Sequence, residues 1–493
     1  MTRSLQPASE RLYYIWILTA FAISRLLYYA AGVRFQTDLI RSNFQFIDVD
    51  LLQHRLWESL FYYHMQPPLH NLILGLLVKL FPGDYGIAMH GFYIVCGVVS
   101  SLLLYRLMRC LGAGAPFACL LTILFVTSPG CILFENYPMY EYLILMLLLA
   151  QCVALNALLR QPSFWRAFFF FALLAALAML RAFYHLYYLA AVAVSLAFLL
   201  PLHRRMIAAA AAVPLLLVSA LYVKNLLVFG FFGGSSWLGN NLPTVTTHNL
   251  TREECRSLVV SGNLDPFGCV EGGMPPSVYL PYVPDLKKTG IPVLDDPVKS
   301  TGDPNYNHEV YLRTGPMFTR AAKEVLRYYP LAYLRSVAIA WFCYFRPPSD
   351  FFQFQENLAH IRRFERLYDL ILFGERDQAS GRELRAMAAS GAKLGLLMYT
   401  GVFLIFALPG IVGTTIYFWI RDQIHHSPDL PRQALIAFIV VQIFLVAGIA
   451  NFLSSFENNR YRFPTDALFV ALSSVLLARL LVKHAFFTGK EPD

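Results

Sequence analysis

The stretch "YEYLILMLLLAQCVALNALL", Tyr140 to Leu159, decides what kind of fold this chain can adopt. It has the roughly 20 mostly apolar residues that an α-helix needs to cross the hydrocarbon core of a bilayer. Its one charged residue, Glu141, lies at its edge. In lipid the backbone polar groups of such a run must be satisfied within the segment, so the run predicts a membrane-spanning helix.

The composition of the whole chain has the same character. Hydrophobic residues make up 57% of the 493 residues and charged residues only 14%, against roughly 25% charged residues in soluble domains. The mean hydropathy is +0.51. The net charge of +9 comes from basic residues scattered at the ends of apolar runs, which favours a positive-inside topology and no nucleic-acid binding. We therefore predict an all-α polytopic membrane protein.

Apolar runs of spanning length recur along the chain, and we predict about ten transmembrane helices. The first run is longer than the apolar part of a signal peptide and is read as a retained helix. The others are Tyr85 to Leu107, Phe117 to Phe134, Tyr140 to Leu159, Phe164 to Leu180, Leu186 to Leu202, Met206 to Phe229, Leu396 to Ile420, Ala434 to Leu453 and Ala467 to Val482.

The run "PLAYLRSVAIAWFCYFRPP" is open to two interpretations. Counting it as a span would give about eleven helices. It is short and flanked by Arg335 and Arg346, so we favour a helix that lies in the membrane interface.

The positions of Lys and Arg in the short loops predict which segments face outward. These are a first external loop at residues 34–84, the turns "FENYPMYEY" and "RAFYH", a long region at 230–395, and "SSFENNRYRFPTDA". The chain then divides into an N-terminal membrane module (1–229), the external region (230–395) and C-terminal helices (396–493). Because the first half of the external region is rich in Gly, Pro and Asn, we expect a compact irregular loop there.

Two of the eight cysteines, Cys255 and Cys269, share this external region. A disulfide between them is expected in an oxidising compartment. Two unpaired thiols are the alternative.

The first external loop contains "NFQFIDVDLLQHRLWESLFYYHMQPPLHN", Asn43 to Asn71. Asp48 and Asp50 alternate with apolar residues, so on an extended segment both carboxylates would point the same way. A carboxylate fixed at a membrane surface is suited to accept a proton from an attacking hydroxyl. Two solvated loop acids are the plain alternative, and a divalent cation bridged by the pair stays open.

The same loop ends in "HMQPPLHN", followed by an amphipathic run that is too short to span a bilayer. With Asp48, Asp50, His64, Gln66 and the two prolines, the chain here resembles integral-membrane glycosyltransferases of the GT-C type. It resembles especially the branch that contains protein O-mannosyltransferases and the aminoarabinose transferase of lipid A. The acidic pair is Asp-x-Asp rather than adjacent, and Gln66 stands between His64 and the prolines, which departs from the family pattern.

The resemblance implies sugar transfer from a polyprenyl-phosphate donor to an acceptor glycan, lipid or protein at the outer membrane face, usually with inversion. It makes Asp48 and Asp50 the candidate catalytic bases. His64 and Gln66 are expected to position the loop or the acceptor. Glu141 is expected to pair with Arg181, to help order the acceptor, or to serve as a plain helix-terminus acid.

A lipid donor keeps its phosphate at headgroup level, where cationic side chains would stabilise it as it leaves. The candidates for this role are Lys224 and the residues of "ENNRYR", namely Glu457, Arg460, Tyr461 and Arg462. Lys224 has the alternative reading of a snorkelling lysine, and "ENNRYR" that of an interface anchor. His185, His248, His308 and the His425–His426 pair lack metal-ligand spacing with nearby acids or thiols, and they are expected to face water.

A transporter or flippase of a lipid-linked sugar is the alternative from another class. It would place charged residues near the middle of its helices, whereas here they collect at one side. A lipid-glycan polymerase is a third reading, which the early Asp pair disfavours. We expect the bacterial inner membrane, with the site facing the periplasm, in preference to the endoplasmic reticulum. The partners are then the donor, membrane lipids and an unidentified acceptor.

Overall fold

The computed structural model describes residues 6–373, 402–425 and 429–487, which are helical and contain no β-strand. In chain order the α-helices are α1 (Gln6–Ala31), α2 (Asp38–Ser42), α3 (Val49–His54), α4 (Leu56–Phe61), α5 (Leu69–Leu80), α6 (Tyr85–Cys110), α7 (Ala115–Val126), α8 (Pro129–Glu135), α9 (Glu141–Arg160), α10 (Phe164–Leu180), α11 (Leu186–Leu199), α12 (Arg204–Phe229), α13 (Trp237–Asn241), α14 (Arg252–Val260), α15 (Pro276–Tyr279), α16 (Pro292–Asp295), α17 (Val310–Tyr328), α18 (Pro330–Tyr344), α19 (Gln355–Phe373), α20 (Val402–His425), α21 (Leu430–Leu453) and α22 (Asn458–Phe487). Short 3-10 helices lie at Pro201–His203, Leu242–Val245, Thr247–Asn249, Pro266–Cys269, Leu280–Tyr282 and Phe352–Phe354.

Six helices among the described residues are long and apolar enough to cross a membrane, or seven if one bent pair counts as a span. The six lie at Glu10–Ala31, Tyr85–Cys110, Glu141–Arg160, Pro201–Phe229, Leu404–Ile424 and Leu430–Leu453. The prediction of an all-helical fold with several helices able to span a membrane is confirmed, whereas the predicted number of about ten is not.

The difference in number has local causes. The run predicted from Phe117 to Phe134 is two helices that meet at an angle of 58°, because Pro129 opens α8 just after the break. Helices α10 and α11 have only 17 and 14 residues, at or below the lower limit of a span. The start of the run predicted from Leu396 lies outside the described residues.

Helix α9 occupies the centre of the bundle, where it packs against α6, α10, α21 and α22. Near its N-terminal end a buried ion pair joins α1 to α8, with Arg25 Nη2 2.6 Å from Glu135 Oε2. The Tyr142 hydroxyl donates to the same carboxylate oxygen at 2.7 Å. Gly97 makes room for this group, since a Cβ there would lie 2.5 Å from Glu135 Oε2.

The described part of the external region, residues 230–373, folds largely as short helices around α17, where its composition predicted a compact irregular loop. Most of its buried aromatic residues join the main core, while Cys255, Leu264, Ala321, Val325 and Ala332 form a small core of their own. Cys255 and Cys269 form a disulfide with their Cα atoms 6.1 Å apart. Helix α18 is 15 residues long and packs against α17, α21 and α22. It is not among the helices that qualify as spans.

Candidate functional site

A cavity of about 590 Å³ lies where several predicted outer segments meet. Its walls come from the first external loop, the "RAFYH" turn, the external region, and the segment between α21 and α22. The side chains on which the chemistry depends are those of Phe44, Gln66, Arg181, Phe183, Trp237, Tyr306, Glu457 and Tyr461. Segments that the charge pattern assigns to one side of the membrane thus form one site.

Arg181 is the buried cation of this cavity. It follows the last residue of α10 in an extended conformation, and only 6% of its surface is exposed. Three aromatic rings surround its guanidinium carbon, with centroids 4.6 Å (Tyr140), 4.4 Å (Phe183) and 5.0 Å (Tyr461) away. Its Nη1 has no hydrogen-bond partner within the described structure. Burial lowers the pKa of Arg181 to about 10, so the side chain remains cationic at neutral pH.

Glu457 is the one carboxylate among the described lining residues of the cavity. Its side chain is 26% exposed, and its Oε2 lies 3.1 Å from Arg460 Nη1. Arg460 also lies 3.0 Å from Glu141, and both of these side chains are only 2% exposed. Arg460 does not line the cavity, so its ion pair fixes the Glu457 side chain from the protein interior. Glu457 itself lines the cavity.

The backbone next to Glu457 is strained. Phe456 has a φ of 76°, which is unusual for a bulky residue that is not glycine. Such conformations cost about 1–3 kcal/mol and persist only where surrounding structure enforces them. Here the strained residue immediately precedes Glu457, the carboxylate that lines the cavity.

Aromatic residues form the opposite part of the lining. The Trp237 ring lies 6.3 Å from Phe44 and 5.9 Å from Tyr306, centroid to centroid. Flat apolar faces of this kind suit the C–H face of a sugar ring, and ligand sites commonly combine such surfaces with a few polar groups. The cavity therefore offers an apolar platform, one buried cation and one carboxylate.

The turn at His64 to Pro67 is anchored so that Gln66 lines the cavity. The Asn307 side chain accepts from the backbone N–H groups of His64 and Met65, at 2.9 and 3.1 Å. His64 Nε2 lies 2.9 Å from the Asn307 carbonyl oxygen, and Nδ1 lies 2.7 Å from the Ser236 hydroxyl. Since a carbonyl can only accept, Nε2 carries the proton and Ser236 donates to Nδ1. His64 is thus a buried positioning residue, and Gln66 is the residue of the pair with access to a ligand.

The structure does not bring Asp48 and Asp50 into the cavity. Asp48 is the N-cap of α3 and accepts from the Asp50 backbone N–H, so the prediction of an extended segment is wrong. Its carboxylate also accepts from the backbone N–H and the hydroxyl of Ser300. Asp50 is 61% exposed and lies 3.6 Å from His54. Asp-x-Asp before an apolar run is also a helix start signal, and that reading fits the structure.

Only some of the predicted phosphate-binding residues line the cavity. Tyr461 and Glu457 line the cavity, whereas Arg460 and Arg462 do not. Arg462 is only 1% exposed and pairs with Asp466 at 2.8 Å. Lys224 donates to the Phe61 and Tyr63 carbonyl oxygens at 2.9 and 3.3 Å. All three cations therefore already have partners within the protein, which are carboxylates for Arg460 and Arg462 and backbone carbonyls for Lys224.

Glu141 pairs with Arg460 and not with Arg181. The sequence predicted Arg181 only as a partner for Glu141, because its burial beside aromatic rings cannot be predicted from sequence spacing. His185 and His248 were expected to face water, and both line the cavity. His248 Nε2 accepts from the Gly272 backbone N–H at 2.8 Å.

No group of three or more His, Cys, Asp or Glu side chains that could hold a metal ion occurs in residues 6–373, 402–425 and 429–487. Comparisons with protein-family models, curated proteins and solved structures found no match to this chain.

Proposed function

We propose that this chain is a membrane glycosyltransferase that moves a sugar from a polyprenyl-phosphate donor to an acceptor hydroxyl inside the cavity. The observation that carries the proposal is Arg181, a buried guanidinium that lines the same cavity as Glu457, makes no ion pair within the described structure, and has an Nη1 without a hydrogen-bond partner. An unpaired cation in a desolvated site is costly unless it binds an anion. Phosphate is a natural partner, because guanidinium groups bind its oxygens through strong charge-assisted hydrogen bonds.

The proposed reaction uses the two sides of the cavity. The acceptor oxygen forms a bond to the anomeric carbon, while the bond from that carbon to the phosphate oxygen breaks. Glu457 takes the proton of the acceptor hydroxyl as general base. Arg181 stabilises the charge that develops on the departing lipid phosphate, and the aromatic wall orients the sugar.

This proposal moves the catalytic base from Asp48 and Asp50 to Glu457. Asp48 already accepts hydrogen bonds from Ser300 and Asp50 on both carboxylate oxygens, so it has little capacity left for a substrate proton. Asp50 is exposed to solvent and is absent from the cavity lining. Glu457 has both access to the cavity and a fixed orientation.

We further propose that the bent pair α7–α8, helices α10 and α11, and the C-terminal part of α22 bring the six qualifying helices to about ten spans. Helix α10 has 17 residues, the lower limit for crossing a bilayer, and short spans are accommodated by local thinning or snorkelling. The proposed location is a bacterial inner membrane, with the cavity on the periplasmic side.

A flippase for a lipid-linked sugar is favoured by one observation. Gln442 Nε2 donates to Gln151 and Tyr188, which places polar groups midway along α9 and α21. Hydrogen bonds between helices of this kind also serve packing within membranes. A translocation pathway for a lipid-linked sugar would be expected to have a charged side chain at the same depth, beside these glutamines.

The two functions are separated by assaying purified protein in detergent, where no membrane divides two compartments. Wild-type protein would receive polyprenyl-phosphate-linked sugars radiolabelled in the sugar, together with a lipid and glycan extract as acceptor. We expect labelled product and release of polyprenyl phosphate, both detected by mass. Absence of transfer with every donor, combined with donor translocation by the same protein in vesicles, would establish the flippase instead.

A further inference from the structure

A second groove, of about 520 Å³, lies against the main cavity in the external region. One wall is α14, and the other is the segment from Pro266 to Glu271. The disulfide between Cys255 and Cys269 joins the two walls. His248 lines both the groove and the main cavity, so the two spaces adjoin at this residue.

Arg252 and Arg256 give this groove its charge. They lie four residues apart on α14, so their side chains occupy the same face of the helix, and both line the groove. Like charges with this spacing destabilise a helix slightly unless an anion lies between them. Both residues are exposed.

The nearby acidic residues do not neutralise the pair. Glu254 completes the capping box of α14 with Thr251, and it also accepts from the Tyr329 hydroxyl and lies 3.5 Å from Arg335. Glu253 is absent from the groove lining, which contains Glu271 as its one carboxylate among the described residues. Two guanidinium groups therefore face one carboxylate across the groove, which leaves an excess of positive charge.

We propose that this groove binds an oxyanion, a phosphate or a carboxylate, carried by the sugar acceptor. The inference rests on the proposed glycosyltransferase function, because it places the acceptor next to the cavity in which Arg181 and Glu457 hold the donor. Arginine forks suit both oxyanions. An acceptor anchored in the groove would extend past His248 and present its hydroxyl to the donor.

The groove is tested by direct binding, without any need for turnover. Full-length protein in detergent would be titrated at low ionic strength with glucose 6-phosphate and with glucuronate, using glucose as the neutral control. The protein would carry Arg181→Gln so that the main cavity does not compete. We expect one or both anionic sugars to bind, glucose to bind at least tenfold more weakly, and affinity to fall as salt is added.

The decisive variant combines Arg252→Gln with Arg256→Gln, which leaves the capping residues Thr251 and Glu254 unchanged. We expect it to weaken oxyanion binding at least tenfold. Lys323→Gln combined with Arg327→Gln is the matched control, because these exposed residues have the same spacing on α17 and are absent from the groove. This control should bind like the parent protein, and a variant with Arg252→Lys and Arg256→Lys should recover part of the affinity.

Equal loss in the α14 variant and its control, or equal binding of glucose and both anions, would overturn the groove assignment. Failure of the proposed function gives a different pattern. In that case no sugar transfer would be seen, yet the anionic sugars would still bind in an Arg252- and Arg256-dependent manner. A sound function with a wrong groove would show transfer to one acceptor with the same KM in the α14 variant and its control.

Discussion

At the scale of single residues, Glu457 and Asp50 are two carboxylates with opposite surroundings. Glu457 lines the cavity and is held by Arg460, whereas Asp50 is 61% exposed and lies beside His54. We expect Glu457→Gln to reduce turnover by about 10²- to 10⁴-fold, the usual contribution of a general base. Asp50→Asn should change turnover by less than about threefold, since surface substitutions away from a site have small effects.

The comparison requires sugar-transfer rates at saturating donor for wild type and both variants. Glu457→Asp serves as the control that retains a carboxylate, and it should keep more activity than Glu457→Gln. A large loss in Asp50→Asn together with normal turnover in Glu457→Gln would return the base to the first external loop.

His64 predicts a specific response to acid. Burial lowers the pKa of His64 to about 3, from its usual value near 6.5. Between pH 6.5 and 3 the unfolded chain therefore binds more protons than the folded chain, and the free energy of unfolding falls as the pH falls through this window. The slope has an upper limit of about 1.4 kcal/mol per pH unit for one such group.

Thermal unfolding in detergent between pH 7 and 4.5 measures this slope. We expect His64→Asn to be less stable than wild type at pH 7, because it loses the pair of bonds to Ser236 and Asn307, but to depend less on pH. Some dependence should remain, since burial also lowers the pKa of His70 to about 3. An unchanged slope in His64→Asn would contradict a neutral, buried His64.

Residue identity alone predicted the chemical types in this site but not their partners. The segment "ENNRYR" was expected to contribute two phosphate-binding arginines. In the structure Arg460 and Arg462 are buried and paired with acids, one of them on α9. Which arginine is left without an ion pair depends on helices that are far apart in sequence, so no local pattern could distinguish Arg181 from Arg460.

At the scale of elements, a turn of the external region holds the first external loop. Ser300 donates to the Asp48 carboxylate from its backbone N–H and its hydroxyl. Next to it, Lys299 Nζ donates to the carbonyl oxygens of Arg41 and Asn43 at 3.2 and 2.7 Å. Phe44 directly follows Asn43, whose carbonyl oxygen accepts from Lys299, and Phe44 lines the cavity. Asp48 therefore acts as a structural cap and a tether for the loop.

This role predicts energetic coupling between two residues. Asp48→Ala and Ser300→Ala should each destabilise the protein, and the double variant should cost less than the two single effects together. The coupling free energy should be about 1 kcal/mol. A double-mutant cycle of unfolding midpoints in detergent measures it, with Asp38→Ala in the same loop as the control partner for Ser300→Ala. Strict additivity for Asp48 and Ser300 would remove the tether.

The helices themselves were predicted well where an apolar run was continuous. The predicted run from Tyr85 to Leu107 falls within α6, and the run from Ala434 to Leu453 falls within α21. The run from Tyr140 to Leu159 begins and ends one residue before α9 does. The errors lie where hydropathy carries no geometric information. The bend at Pro129 and the N-cap role of Asp48 both depend on backbone geometry. The average hydropathy of a run does not report that geometry.

At the scale of the whole molecule, the cavity requires the first external loop and the external region to lie on the same side of the membrane. Cysteines placed at Ser42 and Ser261 should react with a membrane-impermeant maleimide added outside intact cells. Cysteines at Gly114 and Gln161 should react only after permeabilisation. All four positions are exposed. Asn240 and Asn458 lie in segments that are also predicted to be outer, but they are buried and would be poor reporters. Labelling of Ser42 and Ser261 from opposite sides would be incompatible with one cavity formed by both segments.

The most direct test of the central claim is the donor dependence of sugar transfer by Arg181→Gln. Loss of a charge-assisted contact costs about 1.5 to 3 kcal/mol, so kcat/KM for the polyprenyl-phosphate sugar should fall roughly 10- to 100-fold. Arg181→Lys should recover only part of this loss, because a point charge replaces a planar fork. Arg166→Gln, at an exposed arginine on α10, is the matched control and should behave like wild type. We expect the loss in Arg181→Gln alone, and a wild-type kcat/KM for the donor in that variant would contradict the assignment of the cavity as the donor phosphate site.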